Sequence, residues 1–267
     1  MKSKTMLPVI SREYKVMIDP RLFGNTRDGH KEVKQDLQRL AKRFDAKVSG
    51  DFSKLDQRRI QFLDTPDFSF RKNQLVLRHR RKKGGSGDGE FTLKCRSEDR
   101  YVAADADLRP AKKLKGEAKF EEDIAAPFRS RFSHSVTIPA SAGDLPETVG
   151  KASRLFPILE KIPRDGGRCE GKTPLLTVNH FMPHEQVRKG VKLALSSEVD
   201  GSVAVILWSH TSKSRIVCAE FSFRYGDKTE RYSVAAAQTA YDLFAAIQKL
   251  DWCQPNGVTK TQFVYQG

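Results

Sequence analysis

The chain has 267 residues, 38% of them hydrophobic and including 16 Phe, enough to build a core in one or two domains at roughly 150 residues each. Lys and Arg number 48 against 33 Asp and Glu, a net charge of +15, so the expected partners are anions: nucleic acid, phosphorylated metabolites, polyphosphate or an anionic surface. No apolar run approaches the roughly 20 residues of a membrane span, MKSKTMLPVI lacks the apolar stretch of a secretion signal, and Cys95, Cys169, Cys218 and Cys253 are too scattered for a zinc ribbon or disulfide framework, so a cytoplasmic setting is expected.

Period-two alternation predicts a first strand over Ile10–Ile18, with Ser11, Glu13 and Lys15 on one face and Arg12, Tyr14, Val16 and Ile18 on the other. A helix follows over His30–Phe44, where Val33, Leu37, Leu40, Ala41 and Phe44 recur at helical spacing. Three strands come next, Arg59–Asp64, Leu75–Lys82 and Glu90–Arg96, the last two joined by the glycine-rich hairpin loop KKGGSGDGE. A fifth strand is predicted over Glu117–Ile124. From about residue 125 to 186 the chain is read as an irregular excursion, rich at first in Ser, Pro and Ala, with Pro157 limiting any helix near Leu155–Glu160 to a turn. Strands over Val187–Val199, Ser202–Ser209 and Arg215–Tyr225 bring the total to eight, and a helix over Val234–Leu250 starts at Ser233 as its N-cap.

The polar faces of these strands are rich in charge. Val76, Arg78, Arg80 and Lys82 share one face, Glu90, Thr92, Lys94 and Arg96 another, Glu117, Lys119, Glu121 and Asp123 a third, and Cys218, Glu220, Ser222 and Arg224 a fourth. Two architectures follow from alternation alone. Either the strands form an open sheet with an ion-paired solvent face, or they close into a mainly β tunnel whose lumen carries the charges and needs an anion or water inside. Arg and Lys converging in such a lumen would grip phosphate oxygens, and glutamates among them would hold a divalent cation.

The order of the motifs decides between them. Arg12-Glu13-Tyr14-Lys15, FLDTPDFSF at 62–70, LVLRHRR at 75–81 and EFTLK at 90–94 resemble the CYTH domain, the superfamily of triphosphate tunnel metalloenzymes. EAKFEEDI, VKLALS, CAEFSFRYGD and the terminal TKTQFVY fit its later segments more loosely. The resemblance implies one domain over 1–267, an eight-stranded antiparallel β-barrel tunnel with peripheral helices. It also implies a triphosphate-containing small molecule or inorganic polyphosphate as ligand, and hydrolysis of a phosphoanhydride bond with magnesium or manganese. By matching positions, it implies Glu13 and Lys15 as catalytic, Lys15, Arg78, Arg80, Lys94, Lys119 and Lys260 as phosphate-binding, and Glu13, Glu121 and Glu220 as metal ligands. Three positions where the family carries acids read as serine, Ser11, Ser196 and Ser222, with Glu198 and Asp200 near the second. That departure implies a weakened metal site. The alternative is a non-catalytic binder of polyphosphate, nucleotide or RNA ends.

Other motifs point nowhere. Gly166–Thr173 satisfies GxxxxGK[ST] but lacks the apolar strand before it and the helix after it that a phosphate loop requires. His180 and His184 are spaced like zinc ligands, but Pro183 spoils the helix that would align them. No aromatic-basic recognition motif marks an RNA surface, so RNA is the less favoured partner.

Overall fold

The computed structural model describes residues 7–83, 89–141, 143–164 and 167–266; the centre of the glycine-rich hairpin, 84–88, and residues 165–166, which include the first glycine of the GxxxxGK[ST] match, lie outside them. Nine long strands organise the chain: β1 (Ser11–Ile18), β2 (Lys54–Asp64), β3 (Leu75–Lys82), β4 (Gly89–Ser97), β5 (Glu117–Ala125), β6 (Arg129–Ala140), β7 (His184–Ala194), β8 (Asp200–Ser209) and β9 (Ile216–Tyr225). They pair in the order β2-β3-β4-β6-β5-β1-β9-β8-β7, and β7 pairs back onto β2, so the strands form a ring. The mainly β architecture with a charged inner face is the one expected.

The ring has nine strands rather than eight because β6 lies inside the segment read as irregular. Its neighbours also depart from a pure antiparallel pattern, since β1 and β5 run parallel, with Ser11 opposite Glu121 and Glu13 opposite Asp123. Strand β7 ends five residues before the expected Val199. There the Ser196 hydroxyl accepts hydrogen bonds from the Glu198 and Val199 amides at 3.3 and 3.2 Å, so Ser196 and Glu198 belong to the β7–β8 turn.

Three helices bear on the site: α1 (Thr26–Ala41), α2 (Val234–Ile247) and α3 (Lys260–Gln266). Helix α1 starts before His30 because the Asn25 side chain accepts from the Arg27 amide at 3.0 Å. Ser233 caps α2 as expected, accepting from the Ala236 amide at 3.4 Å. Helices α1 and α2 cover the outer face of β1 and β7–β9: Leu37, Phe221, Phe223 and Phe244 are buried there, and Tyr14 stacks on Phe223 at 4.9 Å. A second core, with Leu77, Phe91, Leu93, Ile138, Phe156 and Leu159, lies between β3, β4, β6 and the excursion. The apolar faces of the strands are thereby spent on the outside of the ring. Among the described residues no helix is long and apolar enough to cross a membrane.

One end of the inner face is apolar. Ile60, Phe62, Val76, Trp208 and Cys218 form a buried cluster with Val264 of α3, and Phe263 and Tyr265 pack against it. Helix α3 is tied there by the Tyr265 hydroxyl donating to Asp64 at 2.9 Å and by Asn179 donating to the Val264 carbonyl at 2.8 Å. After Lys172-Thr173 the chain makes a bridge to Thr148 and a two-residue strand, not a helix.

Candidate functional site

Residues directly opposite one another in a β ladder share a face, so the register fixes what points inward. Arg78 lies opposite Phe62 on β2 and Thr92 on β4, Arg80 opposite Ile60 and Glu90, and Val76 opposite Lys94. Lys94 lies opposite Ser135, Arg96 opposite Ser133, and Ser133 in turn opposite Glu121. On the other side of the ring Lys15 lies opposite Ser222, and Ser222 opposite Ala204. Lys15, Arg78, Arg80 and Lys94 therefore share the inner face, as their alternation predicts.

Besides the Arg80–Glu90 pair at 2.6 Å, three ion-paired groups occupy this lumen. In the first, the Lys15 ammonium lies 2.9 Å from Glu13 and 2.6 Å from Asp123, while Arg96 approaches Asp123 at 3.4 Å and Ser133 donates to it at 2.8 Å. Burial works against the charged Asp123, but Lys15, Lys94 and Arg96 outweigh it and hold its carboxyl well below the usual range. Burial likewise opposes an ionised Glu13, which Lys15 nevertheless holds below its ordinary value, helped by the Ser222 hydroxyl. Lys15, flanked by both carboxylates, is held above its ordinary value against the same burial. In the second group Glu185, 5% exposed, accepts from the Trp208 indole at 2.9 Å and lies 3.2 Å from Arg58. In the third, Lys260 of α3 reaches Glu220 at 2.9 Å and sits over the Trp208 ring at 5.7 Å.

Two cations stand apart. Arg78 makes one marginal contact, to the Thr92 hydroxyl at 3.5 Å, and among the described residues neither Arg78 nor Lys94 has an ion pair. Burial, with Arg80 adding to it, pushes Arg78 down to about 9. Burial also pushes Lys94 down to about 8; Asp123 opposes this, and Arg96 and Lys15 reinforce it. Among the described residues the buried Nε atoms of Arg78, Arg80 and Arg96 lack a hydrogen-bond partner. Lys15, Arg58, Arg78, Arg80, Lys94, Arg96 and Lys260 thus face Glu13, Glu90, Glu121, Asp123, Glu185 and Glu220, a surplus of one positive charge.

Lys119 is exposed at the rim and paired with Glu117 at 3.1 Å, away from the enclosed cluster. Of the serines at expected acidic positions, Ser222 is buried on the inner face and Ser11 lies opposite Glu121, whereas Ser196 is in the turn described above. Five lumen residues were not singled out as site residues from the sequence: Asp123, Arg96, Glu90, Glu185 and Arg58. Asp123 and Arg96 lie on faces whose charge was evident, but the parallel β1–β5 pairing that sets Asp123 beside Glu13 carries no local signal. Glu185 and Arg58 precede the predicted starts of their strands and become inner-face neighbours only through the β2–β7 pairing that closes the ring.

The donor set for magnesium or manganese can be tested on this geometry. Glu220 is opposite Met17, four residues along β1 from Glu13, so the two positions are separated by roughly 13 Å of backbone along the strands. Glu121 is opposite Ser11 on the other side. Among the described residues no group of three or more His, Cys, Asp or Glu is placed to hold a metal ion. The nearest pair, Glu13 and Asp123, already shares the Lys15 ammonium. The residues present do not fit a resident divalent cation.

No family model matches the chain, and no curated protein matches it. Among solved structures it is similar to a provisional adenylyl cyclase from Hippeastrum described as having a dominant triphosphatase activity, with a TM-score of 0.47 and 10% identity over 97% of this chain and 95% of that one. A provisional adenylate cyclase from Bacillus halodurans gives a TM-score of 0.42 and 14% identity over 96% and 97%. One from Vibrio parahaemolyticus gives 0.35 and 8% over 97% and 99%. Identities and scores this low leave the chemistry to be read from the site's own residues.

Proposed function

We propose that the lumen binds a triphosphate-containing anion and holds it chiefly through arginine and lysine. The observation that carries this reading is the pair Arg78 and Lys94, enclosed on the inner face with no ion pair among the described residues. Unpaired charge inside a protein costs several kcal/mol, and such groups persist where a ligand of opposite sign completes them. Guanidinium groups present paired donors that match phosphate oxygens, and Arg78, Arg80 and Arg96 each keep a buried Nε–H without a protein acceptor. A linear triphosphate supplies several negative charges along one axis, which suits cations contributed by successive strands.

Calorimetric titration of the full chain with tripolyphosphate tests the reading, with orthophosphate as the weak comparator. Submillimolar binding that weakens steeply with salt is expected; equal affinity for both anions, or none for either, would exclude it. Hydrolysis of the bound anhydride is the second reading, for which Glu13 and Lys15 are the residues in place. Phosphate release from tripolyphosphate or a nucleoside triphosphate on adding magnesium or manganese would establish it.

A further inference from the structure

We infer that the lumen takes its triphosphate as the bare anion, with the Lys15 ammonium filling the place between Glu13 and Asp123 that a divalent cation would need. The inference rests on the triphosphate-binding reading above and departs from the metal dependence that the sequence resemblance implies.

A hard divalent ion is held by the charge of its oxygen ligands, so a carboxylate already neutralised by an internal cation is a poor donor. Glu13, Asp123, Glu185 and Glu220 each have such a cation. Glu13 and Asp123 share Lys15 at 2.9 and 2.6 Å, Glu185 lies against Arg58 at 3.2 Å, and Glu220 against Lys260 at 2.9 Å. Asp123 has two further partners, Arg96 at 3.4 Å and Ser133 at 2.8 Å, which leave its oxygens committed. For a metal to enter between Glu13 and Asp123, Lys15 would have to leave. Its neighbours on the inner face are Ser222, already hydrogen-bonded to Glu13, and Met17, and the next carboxylate along, Glu220 opposite Met17, is already paired with Lys260 at 2.9 Å. The displaced charge would join a lumen that already carries a surplus of positive charge.

The same arithmetic favours the free anion. Magnesium bound to a triphosphate cancels two of its charges, and with them part of its attraction to Arg78 and Lys94. In an ordinary metal-dependent site the ion is the bridge between phosphate and carboxylate; here the bridge is an amino group carried by the chain. The ligand then meets cations alone.

The test uses the full chain and two probes. Tripolyphosphate is titrated calorimetrically in EDTA and again in millimolar magnesium; binding in EDTA at least threefold tighter than in magnesium is expected. Binding seen only with magnesium would overturn the inference and leave the triphosphate-binding reading standing, while binding in neither condition would remove both. Manganese alone is followed by electron paramagnetic resonance. The wild type should bind it no tighter than about 1 mM, the range of sites with few free charged ligands, and a site in the low micromolar range would overturn the inference. Lys15→Met frees Glu13 and Asp123 and should bind manganese at least tenfold tighter than the wild type. A folded Lys15→Met protein with unchanged manganese affinity would also overturn it. The wild-type titrations decide the matter even where that variant does not fold.

Discussion

Replacing Arg78 by methionine should separate the two roles of the lumen, stability and binding. Methionine keeps the length of the aliphatic stem against Phe62 and removes the guanidinium. The loss strands nothing among the described residues: the hydrogen bond broken is the 3.5 Å approach to the Thr92 hydroxyl, and Thr92 keeps its 3.0 Å hydrogen bond with Thr137. What is relieved is an enclosed cation pushed down to about 9 by burial and by Arg80, a several-kcal/mol penalty that water and side-chain relaxation reduce. Exchanging a poorly compensated buried ion for an apolar isostere commonly stabilises by about 1–3 kcal/mol. For a chain of this size each kcal/mol moves the thermal midpoint by about 2–4 °C. The ligand-free Arg78→Met protein should therefore melt several degrees higher in a calorimetric scan while binding tripolyphosphate about 10–150-fold more weakly, the loss of one charge-assisted contact of roughly 1.5–3 kcal/mol. A lower melting temperature without ligand would refute the reasoning, because it would mean that the protein already compensates Arg78.

Further outcomes follow from the same geometry. Glu13, Asp123 and Glu185 have folded-state values held below their ordinary ones, so the stability they contribute is complete above about pH 4 and is lost as pH falls through the lowered values; melting scans from pH 7 to 3 should show it, and an Asp123→Asn profile parallel to the wild type would contradict it. Lys94, pushed down to about 8, loses its charge between pH 7 and 9, so tripolyphosphate affinity should drop across that interval in the wild type and stay level relative to it in Lys94→Arg; identical slopes would remove Lys94 from the site. Tyr265→Phe deletes the hydroxyl that donates to Asp64 and should cost about 1–2 kcal/mol, seen as faster amide exchange confined first to α3; unchanged exchange would show that the helix is held by packing alone.

The strands whose two faces differ most were legible in the sequence. Leu75–Lys82 was delimited to the residue, because Leu75 and Leu77 are buried outside while Arg78 and Arg80 turn inward. Strand β6 was not, since RSRFSHSVTIPA sets serines on its inner face and includes His134 on its outer one, leaving little contrast between the two until Val136 and Ile138. The cations of the site were legible for the reason the strands were: each lies on a strongly alternating segment. The acids were harder. Asp123 stands two residues beyond Glu121 along one face, and only the long-range β1–β5 register sets it across from Glu13. Local alternation states which face a residue is on; it does not state which residue stands across from it.

The placement of β1 has a consequence for how the chain is made. Its two neighbours in the ring are β5, which pairs with it through Glu121–Ala125, and β9, which pairs through Ala219–Tyr225. A strand synthesised among the first 20 residues therefore waits some 200 residues for its second partner, about 10–40 s at ordinary rates of translation. Throughout that interval its hydrogen-bonding edge and the face bearing Tyr14, Val16 and Ile18 lack the cover that β9 and α2 later provide. A nascent chain paused before Ile216 carries a sheet open at both β1 and β8, two unmatched edges on one molecule and a template for its neighbours on the same message. The ring protects the folded chain, and the ribosome has to pass Tyr225 before that protection can begin.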